Sequence, residues 1–417
     1  MPNIWIINQF ANTPDLPGHT RQYEIALALA QKNWNLNVFS SDFNLTKRTY
    51  CKLKGFQIRK IENINGIKWH WIRVSPYTKN NWKRYLNLIS FCLNLLLSTV
   101  SLLITSRKKN TYPDIILASS PQLPVAFISL LFAKILNKAF ILEVRDLWPQ
   151  VLIDLGNLSS KNIIVRILRW MEITLYKNSD YVVVLAKGSE KYVKSKGARK
   201  TIWLPNGPDL NLFKYKVISN QEVFTNEKPF SIIYTGAHGE ANGLENVVKA
   251  AKLLQSLPVK FILIGDGPLK NDLVEKAKNL INIEFRNPVS KKKIPNILSH
   301  ADAVLLSLRK VALFEYGVSP NKLYDAYAIG RPVITTVDGD INNEVSINKL
   351  GFTASSSNPE DLAIAVKKMF NTSRFDRLQM GIRARKMAEN IYSRQRINLI
   401  YEEIFEGLLS DKNVLKK

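Results

Sequence analysis

Ile262-Leu263-Ile264-Gly265-Asp266-Gly267-Pro268-Leu269 is an apolar, largely β-branched run that stops at two glycines and reopens at a proline. It reads as a buried parallel strand, a glycine turn and the start of a helix, the unit from which α/β sheets are wound. The glycines leave room for another group against the backbone, and the first helical turn leaves N–H donors free. Many α/β proteins share a Gly-x-Gly turn with no ligand on it, so its surroundings decide what it means.

The alternation continues outward in both directions. Strand-like runs at 231–235, 259–264, 283–285, 303–306 and 332–336 are interleaved with helical patterns at 244–254, 269–279 and 321–329. Upstream lie a polar stretch without period through 228 and a turn cluster, Pro205-Asn206-Gly207-Pro208-Asp209. Beyond them the same pattern recurs, with strands at 4–8, 36–40, 67–73, 115–118, 140–144, 181–185 and 201–204. A helix at 20–31 follows Pro17-Gly18-His19, and an amphipathic helix spans 394–409. The expected organisation is α/β, with two facing Rossmann-like doubly wound domains and a central cleft at the carboxyl ends of both sheets. The first domain covers 1–208, a linker 209–228 and the second domain 229–392, with 393–417 packing back on the first.

A chain of 417 residues, 46% hydrophobic and 22% charged, exceeds one ordinary core. Cys51 and Cys92 have neither metal-ligand spacing nor a disulfide framework, which suits a reducing, cytoplasmic setting. Residues 1–10 read as a strand rather than a cleavable signal, so export by that route is not expected. The formal charge of +25 calls for nucleic acid, an anionic membrane or a phosphorylated substrate, or reflects a cationic solvated surface. No basic motif interleaved with aromatics is present, and no nucleic-acid partner is expected.

Residues 85–105 carry no charge and are bracketed by Lys79, Lys83 and Arg84 before and Arg107, Lys108 and Lys109 after. The run is long enough to span a bilayer. Asn87, Ser90, Asn94, Ser98, Thr99 and Ser101 interrupt it, and it falls between strands of one sheet, which favours a helix lying in the membrane plane. A helix buried against the sheet is the alternative. More basic residues, Lys47, Arg48, Lys52, Lys54, Arg59, Lys60 and Lys68, precede it.

The most specific stretch is 316–333. A loop containing Gly317, Val318 and Ser319 opens a helix at Pro320, and Gly330 ends it. N–H groups of residues 318–322 and the helix dipole make an anion site suited to a diphosphate, to which Lys322 adds a cation. Asp325, one turn after Asn321, is placed for ribose hydroxyls, while Leu323 and Ala326 face the core. A solvated Lys–Asp pair is the plain alternative. Arg145 and Asp146 follow the strand at 140–144, where α/β sites form, and either face a substrate or pair to cap the next helix.

These segments, with Gly18-His19-Thr20-Arg21, Glu143-Val144-Arg145-Asp146-Leu147-Trp148-Pro149, Thr235-Gly236-Ala237-His238-Gly239 and Ser319-Pro320-Asn321-Lys322-Leu323, resemble retaining GT-B glycosyltransferases of family 4. Within it they are similar to the bacterial L-fucosamine transferase branch that builds capsule and O-antigen. The resemblance implies a UDP-sugar donor and a polyprenyl-diphosphate-linked or glycan acceptor, reached at an anionic membrane surface on the cytoplasmic side. It also implies no cofactor and no metal. Carried over residue by residue, the donor contacts are Gly18, Gly236, His238, Gly265, Gly267, Glu315, Gly317, Val318, Ser319, Pro320, Asn321, Lys322, Leu323 and Asp325, with Arg145, Asp146 and Lys322 catalytic. The chain departs from the family in three places. Of an acidic pair with seven residues between its members, the second member is Asp325 and the first position is Gly317, leaving Glu315 as substitute. A family arginine and lysine are replaced by Ala237 and Asn242, which leaves Lys322, Arg309 or Lys310 to meet the diphosphate. A histidine before a proline is missing near Ser119-Ser120-Pro121. A UDP-sugar 2-epimerase or hydrolase of related fold, and a basic nucleic-acid-binding protein, are the competing readings.

Overall fold

The computed structural model describes residues 1–45, 47–78, 82–105, 112–156, 158–215 and 229–414. Lys79, Arg107, Lys108, Lys109, most of the expected linker and the last three residues lie outside the described residues. Two compact units form, Met1–Leu204 with Asn398–Lys417, and Pro205–Ile397.

In the first unit the chain runs β1 (Asn3–Ile7), α1 (Arg21–Ala30), β2 (Asn35–Ser41), a small hairpin of β3 (Phe43–Asn44) and β4 (Thr49–Tyr50), β5 (Arg59–Ile64), β6 (Ile67–Ile72), α2 (Lys83–Thr105), β7 (Ile115–Ser119), α3 (Leu123–Ile135) and β8 (Ala139–Val144). It continues through α4 (Gln150–Asp154), α5 (Ile163–Asn178), β9 (Tyr181–Val184), α6 (Ser189–Ser195) and β10 (Thr201–Trp203). The sheet order is β10-β9-β8-β7-β1-β2-β6-β5, parallel except for β5 on β6. The central strands β1, β7 and β8 are buried along their whole length, because helices cover both faces of a parallel sheet. The sequence reading lacked β5. Its signal is Asn65-Gly66, whose positive φ of 52° and 84° fits a two-residue hairpin turn joining β5 to β6. The strand expected at 67–73 ends at Ile72.

The second unit runs β11 (Phe230–Thr235), α7 (Leu244–Leu253), β12 (Val259–Ile264), α8 (Lys270–Lys276), β13 (Ile283–Arg286), α9 (Ile294–Ser299), β14 (Ala303–Ser307), α10 (Asn321–Ala328), β15 (Val333–Thr336), α11 (Asp340–Ile347), β16 (Gly351–Thr353), α12 (Pro359–Asn371) and α13 (Arg374–Asn390). Its sheet, β13-β12-β11-β14-β15-β16, is parallel throughout. The helix expected at 269–279 is confined to α8, and β16 was not anticipated. The described part of the expected linker packs within this unit: Phe213 is fully buried and its carbonyl accepts from Arg385 at 2.8 Å.

The last helix, α14 (Arg394–Val414), leaves the second unit at Ile397 and enters the first. There Tyr401 is fully buried, its hydroxyl donating to Glu143 at 2.6 Å, and Lys32 in the turn after α1 contacts Glu402.

Candidate functional site

The order of the second sheet reverses between β11 and β14, and ligands of doubly wound folds bind outside the carboxyl ends at such a point. Gly236, Ala237 and His238 leave β11 there, and Arg309 follows β14. The loops after β11 and β14 are tied further along, since Arg309 N donates to Ala241 O at 2.9 Å.

The two glycine turns interlock. A Cβ on Gly265 would lie 1.8 Å from the carbonyl oxygen of Gly236, and one on Gly267 would lie 2.5 Å from that of His238. The group approaching these glycines is thus the neighbouring loop of the same protein, and their requirement for glycine is structural. His238 locks the pair: its N–H donates to Asp266 O at 2.9 Å and its carbonyl accepts from Leu269 N at 3.0 Å. Its ring is fully buried beside Tyr234 and Phe285, with neither nitrogen bonded among the described residues. Burial, reinforced by Lys270, lowers its pKa and keeps it neutral.

The loop expected to hold a diphosphate begins with a 3-10 turn, Ala312–Tyr316, and bends at Gly317, whose φ of 84° favours glycine. Pro320 stands extended just before α10. Ser319 is drawn into structure rather than left open. Its Oγ accepts from Asn206 N at 3.0 Å and meets the Tyr324 hydroxyl at 2.9 Å, while its carbonyl accepts from Asn206 Nδ2 at 3.0 Å. Leu323 N donates to Pro320 O at 3.1 Å, and Leu323 is buried. Asn321 and Lys322, in the first turn, have no intrahelical carbonyl for their N–H groups. Val318 is half-buried and Glu315 is exposed on the 3-10 turn.

Lys322 turns back beneath this loop. Its Nζ lies 2.9 Å from the Tyr234 hydroxyl and 2.8 Å from Asn242 Oδ1, and 4.3 Å over the Tyr234 ring. The Tyr234 hydroxyl itself donates to Ala237 O at 2.8 Å. A side chain on Gly236 would crowd this amine, since its Cβ would come within 3.0 Å of Lys322 Nζ. Burial without a carboxylate partner lowers the Lys322 pKa to about 7. Burial likewise raises that of Asp325, one turn further along α10, to about 6, against the pull of Lys291 and Arg394. A solvated Lys–Asp pair is not what forms: the two groups are half-buried, and no ion pair joins them among the described residues. Asn242, counted in the sequence as the loss of a basic residue, holds the amine that replaces it. Arg309 is half exposed and lies 3.6 Å from Glu240.

In the first unit the sheet order reverses between β1 and β7. Gly18, with φ of 138°, closes the loop after β1 against Asn12, whose N–H donates to His19 O at 3.0 Å. Arg145 is half-buried and its N–H donates to Ser120 Oγ at 3.0 Å, while Asp146 is exposed. The Arg145–Asp146 cap does not form among the described residues. Instead Arg145 lies in the field of a buried cluster that the sequence did not reveal. Glu143, fully buried, accepts from Arg21 Nε at 2.8 Å, Gln22 Nε2 at 2.9 Å, Ser119 Oγ at 3.1 Å and Tyr401 at 2.6 Å. Burial opposes its charge, but Arg21, Arg145 and these donors outweigh it and hold its pKa below the usual carboxylate value. Arg21 and Glu143 stood in quoted motifs, whereas Tyr401 lies 258 residues from its partner and has no local signal. Among the described residues no three His, Cys, Asp or Glu side chains converge as a metal site.

Residues 229–372 match the family described as "Glycosyl transferases group 1". The chain is 27% identical to the Escherichia coli K12 protein named "Putative colanic acid biosynthesis glycosyl transferase WcaI", over 67% of this chain and 69% of that one. It is 25% identical to the Debaryomyces hansenii "Chitobiosyldiphosphodolichol beta-mannosyltransferase", over 53% of this chain and about half, 52%, of that one. Among solved structures, Anabaena Alr3699/HepE in complex with UDP and glucose superposes with a TM-score of 0.67 at 14% identity, over 98% of this chain and 100% of that one.

Proposed function

We propose that this chain is a glycosyltransferase of the GT-B fold and that it transfers a sugar with retention from a UDP-sugar to a polyprenyl-diphosphate-linked intermediate of a surface polysaccharide. The observation that carries this reading is the start of α10. The Gly317 bend, the free N–H groups of the first turn, the Lys322 amine and the Asp325 carboxylate gather at the carboxyl end of the matched unit's sheet. The UDP complex of the structural neighbour supports the donor, and the two relatives, one named for colanic acid biosynthesis and one for a diphosphodolichol-linked acceptor, support a lipid-linked polysaccharide intermediate. An N-acetylated deoxyhexosamine such as N-acetyl-L-fucosamine is the donor sugar the resemblance favours.

In this reading the departure of UDP develops charge on the β-phosphate. Fixed N–H donors and the Lys322 ammonium stabilise that charge in place, each such donor contributing about 3 kcal/mol to the transition state. Asp325 accepts from the ribose, and the acceptor hydroxyl attacks on the face that UDP leaves, with the phosphate taking its proton. Arg145 and Asp146 belong to the substrate end of the first unit. The protein works at the cytoplasmic face of the membrane, held by α2.

Calorimetry with UDP tests the nucleotide site: Asp325→Ala and Lys322→Ala each weaken binding by about tenfold, or about 1.4 kcal/mol, with the fold intact. Wild-type affinity in both variants would remove the assignment. Because cationic and N–H groups already meet the diphosphate, transfer is expected to persist in excess chelator. Activity lost to EDTA and restored by magnesium or manganese would overturn that expectation.

A further inference from the structure

A cavity of about 310 Å³ lies at the carboxyl end of the first unit's sheet, bordered by the ends of β1 and β7, the loop after β8 and the first turns of α2. Its lining includes two glutamines, Gln9 and Gln122, only 1% and 8% exposed, and the amide oxygen of each has no hydrogen-bond partner among the described residues. Gln9 is held in place, since its Nε2 donates to Asn87 Oδ1 at 2.7 Å while Asn87 Nδ2 donates to Ser75 O at 2.7 Å. The remaining lining is rich in aromatic surface from Phe10, Trp82, Tyr85 and Trp148, with the exposed cation of Arg84 beside them.

A buried carbonyl oxygen left without a donor costs about 1–3 kcal/mol, so an occupant that fits brings O–H or N–H groups to both amides. A hydrocarbon chain covers the aromatic surface but leaves the oxygens unpaired. A bare phosphate is repelled by them and leaves the rings uncovered. A pyranose ring meets both demands, its C–H face lying on an aromatic ring and its hydroxyl or acetamido groups donating to the amides. We propose that this cavity binds a sugar ring of the acceptor, with Gln9 Oε1 and Gln122 Oε1 accepting from it and Arg84 meeting the diphosphate that links it to the lipid. The inference rests on the acceptor being lipid-linked, and it is suited to one, because Arg84 and Tyr85 belong to the same helix whose outer face is apolar.

The test is calorimetric titration of the full chain with short-chain prenyl diphosphates carrying a hexose, an N-acetylhexosamine or a 6-deoxyhexosamine, and with the same prenyl diphosphate bearing no sugar. At least one glycoside binds about tenfold or more tighter than the bare diphosphate. Gln122→Leu abolishes that preference, Gln122→Glu, which keeps an acceptor oxygen, retains most of it, and UDP affinity is the same in all three proteins. Equal binding of bare and sugar-bearing diphosphates would assign the cavity to lipid and overturn the proposal. An undiminished preference in a folded Gln122→Leu protein would also overturn it, as would binding by none of the panel. Loss of UDP binding in wild type would sink the donor assignment and leave this result standing.

Discussion

Two residues of α10 are perturbed in opposite senses, and both belong to the proposed donor site. Burial brings Lys322 down to about 7 and Asp325 up to about 6. An anionic donor favours the ammonium, which is present below the lowered Lys322 value and lost as pH rises through it. Ribose recognition favours the carboxylate, which is present above the raised Asp325 value and lost as pH falls through it. Affinity for a UDP-sugar, whose diphosphate does not titrate in this range, therefore passes through a maximum between about pH 6 and 7. Lys322→Arg keeps its charge and removes the alkaline limb, and Asp325→Asn removes the acid limb. A flat profile in wild type from pH 5 to 8.5 would mean that neither group meets the donor.

At the scale of elements, α2 inverts the usual amphipathic arrangement. Its polar side chains face the protein: Asn87 bonds Ser75 and Gln9, Asn94 Nδ2 donates to Arg73 O at 2.8 Å, and Ser90 Oγ accepts from Ser75 N at 2.7 Å. Leu93, Leu96, Leu97 and Ile104 point outward, at 57%, 42%, 58% and 76% exposure. The buried-helix alternative thus fails for this face. α3 packs between α2 and α5, and it adds exposed Leu131 and Ile135 as α5 adds Ile163, Ile167 and Trp170. α2 and α3 carry no acidic residue, and the single acid of α5, Glu172, is buried against Arg169 at 2.9 Å. Such a surface suits an anionic bilayer, to which each nearby Lys or Arg contributes about 1 kcal/mol. The protein is expected to sediment with anionic vesicles more than with neutral ones and to be partly released by salt. Leu93→Ser, Leu96→Ser and Leu97→Ser combined lower that binding without affecting UDP. Leu95 is a poor choice for the test, being fully buried, and its replacement opens the core. A triple variant that sediments like wild type would exclude α2 as the anchor.

For the whole molecule, the final helix completes the first unit although its residues come last. Tyr401 and Arg21 share the Glu143 carboxylate, and Arg21 also donates to Leu204 O at 2.9 Å, so the ends of that unit's chain meet on one buried charge. Tyr401→Phe removes one donor from a buried carboxylate and costs about 1–3 kcal/mol in denaturant unfolding. Arg21→Ala removes the hydrogen-bonded ion-pair partner of this buried carboxylate and costs about 3–5 kcal/mol. The Glu143 pKa is depressed, so the stabilisation is present above the ordinary carboxylate value and is lost as pH falls below it. If Tyr401→Phe unfolds at the wild-type denaturant midpoint, the helix packs on that unit without this bond mattering.

The sequence by itself determined the α/β class, the strands of both sheets apart from edge pieces such as β5 and β16, and the loop, helix and residues at 316–325. Each of these is a local pattern: an apolar run of strand length, a glycine turn, a proline at a helix start. Tertiary structure decided what those residues touch. Gly265 and Gly267 stood in the sequence as an opening for ligand, and the fold fills that opening with the Gly236 and His238 backbones. Lys322 was legible as a cation, but the burial that lowers its pKa was not, and its contacts with Tyr234 and Asn242 come from residues 88 and 80 positions away. The same holds for Glu143 with Tyr401, and for which face of α2 is apolar and outward. Periodicity marks an element, whereas partners distant in the chain are brought together only by packing, which leaves no spacing in the sequence to read.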